Sequence, residues 1–490
     1  MISDLPDPIL YLILSGLPTT EEAVRTSILS TRWRYLWTSL PSLDIDSTRG
    51  LKPSVNFKKN KFKEFVYWVL VNKTLDLDSF RLRCASDYNM STVWRWIHAA
   101  VMRKVKLLDL SFFPRVDDED FKLPHSLVTC DSLEVLRLFL YERSLVLPTA
   151  TGFPALRVLE LNSIELLDHN SVQEFFKSCP LLEDLSLIDC FSYTNKNLCI
   201  SCLNLKSLRI HNWTIGTYAK RFGYGSSSDN DGLCFCLQIC CPKLVFFEYA
   251  GHSADAFSFE NLDSLKKAVI YPDGTVSLFG SIGANICQLF AGVSHVESLS
   301  LNLFSLKVIS LARDAHGAFP TSLPNLKTLE ISTTIEHYTM TVVMRILRCC
   351  PNLESFHLIV EEEILWPQVL KFDEFLACHL KRVEFLEFHG EKRKVDMARF
   401  LLEHGNELEE MVFSWHDKVN YHEKSTDTMK EVSKFYKASS TVKLITLFFF
   451  LKGELHKQRT DPNRAGTKTQ KITYLHLYTN SPKNKTSVSI

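Results

Sequence analysis

Two hydrophobic periods divide the chain. Over residues 6–41 apolar positions fall three and four apart, the spacing of helices with one inner face. Ile9, Leu10, Ile13, Leu14 and Leu17 form the first set, opened by Pro6 and Asp7 and closed by Gly16 and Pro18. Proline is tolerated in a first helical turn, and an acid there faces the positive end of the dipole. The second set is Ala23, Val24, Ser27 and Ile28. It follows Thr19-Thr20-Glu21-Glu22, where Thr19 can accept from the Glu22 amide while Glu22 reaches back. The third set is Trp33, Leu36, Trp37 and Leu40, with Ser30 as N-cap and Pro41 as the stop. Three helices in so short a stretch bury little and need a neighbour or a partner. Trp33 and Trp37, flanked by Arg32 and Arg34, either anchor an interface or pack the module onto the rest of the chain.

From residue 105 the period changes. An apolar residue recurs at positions 1, 4 and 6 of a short unit: Val105, Leu108, Leu110; Leu133, Leu136, Leu138; Leu156, Leu159, Leu161; Leu182, Leu185, Leu187; Leu205, Leu208, Ile210. Further units start at Leu244, Leu265, Val296, Leu326 and Leu353. Starts from 133 to 205 are 23, 26 and 23 residues apart. The pattern fits the L-x-x-L-x-L core of leucine-rich repeats, with strands on one face and helices or turns on the other. Positions 3 and 5 then alternate outward onto the strand face. Val135, Arg137, Val158, Glu160, Asp184, Ser186, Ser207 and Arg209 are therefore candidate contacts for a partner, against the plainer reading of a solvated sheet face. Val172, Phe175 and Phe176 predict a helix on the opposite side. Cys179-Pro180, Cys241-Pro242 and Cys350-Pro351 mark turns back into strands, because proline cannot continue a helix.

The flanks carry the same signals. Phe62, Phe65, Val66 and Val69 predict a helix, Phe80 to Cys84 a repeat strand, and Val93 to Val101 a further helix, so the array starts before residue 100. The Gly-rich stretch 223–232 and residues 271–283 read as loops. Towards the C-terminus, 379–385, 395–405 and 408–413 predict strand, helix and strand, with Gly405 as the helix C-cap. Such units close the end of a repeat array, which needs a cap.

Composition narrows the chemistry. The chain has 490 residues, with 56 Lys+Arg against 56 Asp+Glu. Zero net charge argues against a nucleic-acid partner, which demands a basic surplus. Apolar runs such as 447–451 are far shorter than a membrane span. With no secretory signal in view, the 14 cysteines are expected as reduced thiols in the cytoplasm and/or nucleus. Cys199, Cys202, Cys234, Cys236, Cys240 and Cys241, with His211 and His252, invite a zinc reading, but their spacing is irregular and buried cysteine is a common small hydrophobe. No metal, cofactor or catalytic constellation is expected.

The segment Leu5-Pro6-Asp7-Pro8-Ile9-Leu10, then 13–19, then 23–37 and on to Asp44, closely resembles a plant F-box. The resemblance implies docking on a Skp-type adaptor and, through it, a cullin. Leu5, Pro6, Ile9, Leu10, Ile13 and Leu14 match the family's first contact segment, and Val24, Ser30, Trp33, Leu36 and Trp37 its later ones. Residues 379–440 resemble the FBD region of plant F-box/LRR proteins. The expected fold is α/β: a three-helix F-box (1–45), a connecting region with a first irregular repeat (46–104), a curved leucine-rich-repeat solenoid (105–365), an FBD-type cap (366–446) and a disordered tail (447–490). The function so implied is the substrate-recognition subunit of a Skp–cullin–F-box ubiquitin ligase, not itself an enzyme. A non-degradative adaptor-bound scaffold and a small-molecule co-receptor on the repeat face are the alternatives.

Overall fold

A computed structural model describes residues 2–47, 55–84, 88–112, 120–148, 152–166, 169–190, 197–213, 236–254, 256–273, 281–311, 320, 322–334, 337–360, 380–416, 421–449 and 488–489. The chain forms two compact units, Met1–Leu323 and Pro324–Ile490.

In the first unit the repeat leucines generate the sheet. Its strands are β1 Ser42–Asp46, β2 Ser79–Cys84, β3 Leu107–Phe112, β4 Phe121–Lys122, β5 Val135–Val146, β6 Val158–Leu166 and β7 Asp184–Ile188. They continue through β8 Asn197–Ser201, β9 Ser207–Asn212, β10 Cys236–Cys240, β11 Phe246–Gly251, β12 Ala256–Glu260, β13 Lys267–Pro272 and β14 Ser298–Leu301. The order β1-β2-β3-β5-β6-β7-β9-β11-β13-β14 is parallel throughout. Positions 1, 4 and 6 of every unit are buried, from Val105, Leu108 and Leu110 to Val296, Leu299 and Leu301. Just before each strand, position 2 of one repeat donates its amide to the carbonyl of position 2 in the repeat before: Glu134 to Lys106 at 2.8 Å, Arg157 to Glu134 at 2.8 Å, Glu183 to Arg157 at 2.8 Å and Lys206 to Glu183 at 2.8 Å. The next amide shares each acceptor, as Val158 does with Glu134 at 3.0 Å.

Between strands the chain crosses the other side. Helix His169–Lys177 buries Val172, Phe175 and Phe176. At each Cys-Pro turn the leucine amide folds back to the cysteine carbonyl, Leu182 to Cys179 at 3.2 Å and Leu244 to Cys241 at 3.0 Å. β8, β10 and β12 form a second, three-stranded parallel sheet, which the apolar periodicity did not single out. The loop expected over 223–232 lies outside the described residues. Of 271–283, Tyr271 and Pro272 end β13, and residues 281–283 open helix Ser281–Gly292.

The second unit repeats the scheme with β15 Thr328–Thr333, β16 Ser355–Val360, β17 Arg382–Phe388, β18 Glu410–His416 and β19 Lys443–Phe449, paired in parallel in that order. Helix Lys392–His404 joins β17 to β18 and ends at Gly405. That glycine has φ −86°, so its need is steric, not conformational: a Cβ there falls 2.7 Å from the Leu401 carbonyl oxygen. Leu447 to Phe449 complete β19, and Val488–Ser489 pair with it antiparallel, so the expected tail starts too early. The rest of 447–490 lies outside the described residues.

The N-terminal module contains helix α1 (Asp7–Ser15) and helix α2 (Thr20–Arg25). The third element, Trp33–Ser39, is a 3-10 helix and not an α-helix. The side chains of Trp37 and Thr38 hydrogen-bond to the carbonyls three residues back, Arg34 at 3.2 Å and Tyr35 at 2.7 Å, which suits the tighter winding. β1 follows directly and pairs with β2, Leu43 opposite Phe80, so the module runs into the sheet without a linker. Helix α3 (Val55–Asn72) buries Val66, Val69 and Leu70, and helix α4 (Met90–Val101) is capped by Asn89 accepting from Thr92 at 3.2 Å.

The joint between module and sheet holds a buried cation. Lys73 is only 2 % exposed and donates its ammonium to the Leu40 carbonyl. Burial, aided by the charge of Arg103, lowers its pKa from the usual 10.5 to about 8. Between these values the unfolded chain keeps the proton and the folded chain has released it, so stability rises with pH across that window. Lys73→Met is expected to flatten the rise. Chemical denaturation of both proteins from pH 7.5 to 10.5 checks it, and parallel slopes refute the buried-charge account.

Candidate functional site

Two surfaces of the first unit carry candidate chemistry, the outer side of the N-terminal module and the strand face. In the module, Pro6 sits at the N-cap of α1, and Asp7 forms an ion pair with Arg32 that ties the start of α1 to the third element. Thr19 caps α2, accepting from the Glu22 amide at 3.3 Å. Ser30 is not a cap: the 3-10 helix starts from Arg32 without a side-chain cap, and the Ser30 hydroxyl is buried with no hydrogen-bond partner.

Burial sorts the residues expected to touch an adaptor. Leu10, Leu14, Leu36, Trp33 and Trp37 are buried within the chain, the two tryptophans at 1 % exposure. Side chains so enclosed have almost no area left to offer, so they hold the module together; of the two readings of the tryptophan pair, packing is the one observed. Pro6 and Ile9 are exposed, and Leu5, Ile13, Val24 and Ser30 are half-buried. The outer side gains Ile2, Leu12 (73 % exposed), Leu29 and Tyr35, which periodicity did not select, and Ile28 (88 %), which it had placed inside. Ile28, expected on the inner face of α2, points out because α2 stops at Arg25 and a 3-10 turn over Thr26–Ile28 rotates it away. A readable signal existed in α1. Its stretch Ile9-Leu10-Tyr11-Leu12-Ile13-Leu14 is apolar on more than one side, with Leu10 and Leu14 inward and Ile9 and Leu12 outward. A surface helix needs only one apolar stripe.

On the strand face, side chains in register form rows. One row reads Asp44, Arg81, Asp109, Arg137, Glu160, Ser186, Arg209, Glu248, alternating in sign for most of its length. Neighbours pair across strands: Arg81 with Asp109 at 2.8 Å and with Asp44 at 3.6 Å, Arg137 with Glu160 at 3.4 Å, and Arg209 with Asp184 at 2.9 Å and Glu248 at 3.7 Å. Burial raises the Glu160 pKa, with Arg137 pulling the other way. Val135, Arg137, Val158, Glu160, Asp184, Ser207 and Arg209 are half-buried on this face as expected of outward positions. Ser186 is not available, at 7 % exposure: it is the one short side chain between Glu160 and Arg209 in the row.

A depression of 280 Å³ opens where the row above contains another short residue. Ser111 lies between Arg83 and Phe139 in register, and Asp109, Arg137, Glu160 and Asn162 complete the wall. Arg83 leans on the buried Asp46 at 3.4 Å. Its lining combines guanidinium, hydroxyl and amide groups with the carboxylates of Asp109 and Glu160 and the Phe139 ring.

Most of the described cysteines belong to the core, with Cys236 the exposed exception and Cys190, Cys199, Cys240 and Cys349 half-buried. Burial raises Cys179 and Cys241 to about 11 and Cys350 to about 12, and pushes Cys202 up further. A protonated thiol is neither nucleophile nor metal ligand. His211 binds Glu248 at 2.9 Å and His252 faces Asp273 at 3.6 Å. Among the described residues no group of three or more His, Cys, Asp or Glu is arranged to hold a metal ion, and Cys234 lies outside them. No described helix is long and apolar enough to cross a membrane.

Comparison with known proteins gives these surfaces a context. Residues 2–44 match the F-box domain model. Residues 93–219 match the LRR repeats of the FBD-associated F-box protein At5g56370, and residues 234–448 the LRR domain of At1g61320/AtMIF1. Among similar proteins of Arabidopsis thaliana, an FBD-associated F-box protein is 27 % identical over 465 residues, spanning 91 % of this chain and 94 % of its own. An F-box/FBD/LRR-repeat protein is 26 % identical over 468 residues, covering 91 % and 96 %. F-box/LRR-repeat protein 13 is 26 % identical over 479 residues, again covering 91 % and 96 %. With matches to an F-box and to leucine-rich repeats, and relatives that run nearly its full length, the chain is similar throughout to the plant F-box/FBD/LRR-repeat proteins.

Proposed function

We propose that this chain is the substrate-recognition subunit of a Skp–cullin–F-box ubiquitin ligase. The observation that carries the reading is the joining, in one continuous strand ladder, of an F-box with an apolar outer surface to a broad face of charged rows. The F-box docks on a Skp-type adaptor, and the adaptor links it to a cullin. The strand face holds a protein substrate. The chain supplies proximity, keeping a substrate lysine near ubiquitin carried elsewhere on the ligase, and performs no bond chemistry itself.

The adaptor contact is assigned to the outer residues Ile9, Leu12, Ile28 and Leu29, with Pro6 and Tyr35, and not to the enclosed tryptophans. Substrate is assigned to the rows around Arg137, where the depression over Ser111 receives a partner side chain. The charges there already neutralise one another, so a partner gains most from matching their alternation, which favours specificity over raw affinity. The same pairing makes a freely diffusing small molecule the weaker reading, since the depression is open and its wall is engaged within the protein.

Two outcomes test this assignment. The double variant Leu12→Asp, Ile28→Asp is expected to keep its melting temperature and lose roughly tenfold or more in adaptor affinity. Trp33→Ala is expected to destabilise the fold itself by about 3–5 kcal/mol, as loss of a buried tryptophan does. Binding by calorimetry alongside thermal melts separates the two, and full affinity in the folded double variant refutes the docking face. For the substrate side, Arg137→Glu sets a third acid beside Asp109 and Glu160. Proteins co-purified under proteasome blockade are expected to drop out while adaptor is retained. An unchanged set of captured proteins moves recognition off this face, and captured proteins whose abundance ignores the ligase favour the non-degradative scaffold.

A further inference from the structure

Helix α3 carries the run Phe65-Val66-Tyr67-Trp68-Val69-Leu70-Val71, apolar on every side. A helix with apolar residues all round is one that is covered all round. The described residues cover only half of it. Val66, Val69 and Leu70 are buried against the first unit, whereas Tyr67, Trp68 and Val71 stand on the opposite side, about half-exposed, and Leu75 just beyond the helix is 55 % exposed. Three large apolar side chains on one side of the helix, with Leu75 beyond its end, form a patch, not the scatter normal for a protein surface.

The patch adjoins the F-box, covering its enclosed Trp37 and reaching the exposed Tyr35. The Trp68 ring lies 5.0 Å from that of Trp37. The amide and hydroxyl of Thr74 both donate to the Thr38 carbonyl, at 3.3 and 3.2 Å, and the Thr38 hydroxyl donates to the carbonyl of Tyr35, itself an exposed residue. Leu75 and Tyr35 therefore flank one hydrogen-bonded seam. We propose that the Skp-type adaptor docked on the F-box also covers α3, burying Tyr67, Val71 and Leu75 as a second contact segment; this rests on the adaptor reading above. Tyrosine and tryptophan suit such a site, because each offers a wide apolar surface with one polar atom and few rotatable bonds. The interface then spans the joint between module and repeats, and the adaptor holds the F-box and the first repeat as one piece.

The test uses the full chain and a recombinant Skp-type adaptor. Affinity is measured for wild type, for Leu12→Asp, and for the triple variant Tyr67→Ser, Val71→Ser, Leu75→Ser, which leaves the Trp68–Trp37 contact in place. Hydrogen exchange of residues 64–75 is followed in wild type with and without adaptor. The expected result is a loss of roughly tenfold or more in the triple variant, together with protection of 64–75 when adaptor is added. A triple variant that binds as tightly as wild type, with no added protection, overturns the proposal while leaving the adaptor reading intact. If the triple variant also melts early, the wild-type exchange decides alone: protection supports the second segment and its absence refutes it. A wild-type chain that does not bind adaptor at all refutes both readings. A chain that dimerises in solution, with the triple variant monomeric and adaptor affinity unchanged, assigns the patch to a second copy and also overturns the proposal.

Discussion

Everything in the first unit hangs on one contact repeated between neighbouring turns of the chain, the amide of position 2 donated to the carbonyl of position 2 in the previous repeat. Each bond fixes the register of the strand that follows it. Once Arg157 is held on Glu134 and Glu183 on Arg157, Val158 must face Val135, and Asp184 must face Val158. Register in a parallel sheet decides which residues meet, because a slip of one residue turns every side chain to the other face. The side chains at position 2 support the same choice, since Arg157 and Lys206 both pair with Glu183, at 2.9 and 3.1 Å. These exposed pairs add little stability individually. Their value lies in disfavouring wrong neighbours, as like charges meet when the order shifts.

From that register the strand face follows. The alternation from Asp44 to Glu248 is scattered over some two hundred residues of sequence and becomes a row only when the strands are aligned. This explains what could be read beforehand. The inward leucines repeat at fixed spacing within a few residues, so the strands and their outward positions were legible without a structure. The pairing of Arg137 with Glu160, the enclosure of Ser186 and the depression over Ser111 depend on what stands one strand away, and no local pattern carries that.

The F-box was legible as a family and opaque as a surface, for a different reason. Helical spacing identifies an inner face by contrast with a polar outer one, and α1 offers little contrast. Ile9 and Leu12 on one side are as apolar as Leu10 and Leu14 on the other. The third element added to the ambiguity. Trp33, Leu36, Trp37 and Leu40 fit one apolar stripe, and spacing alone does not say whether a stripe faces the chain or a partner; all four are buried in the chain. The small sheet of β8, β10 and β12 was missed because its strands carry no L-x-x-L-x-L unit, and the cysteines of β8 and β10 drew attention as chemistry although Cys199 and Cys240 are half-buried and Cys236 is exposed with no metal-binding group around them among the described residues.

The strand β1 has a consequence for how this protein can be divided. Its residues, 42–46, overlap the end of the F-box match at 44, yet they form the first rung of the repeat ladder. The cut that family boundaries suggest, just after the F-box, strips β2 of its neighbour and leaves its parallel edge open, with Phe80 and Leu82 losing cover. An open edge of this kind recruits strands from other molecules. The F-box is thus the cap of the repeat array as well as its handle, and the array carries its own N-terminal seal only while that handle is attached.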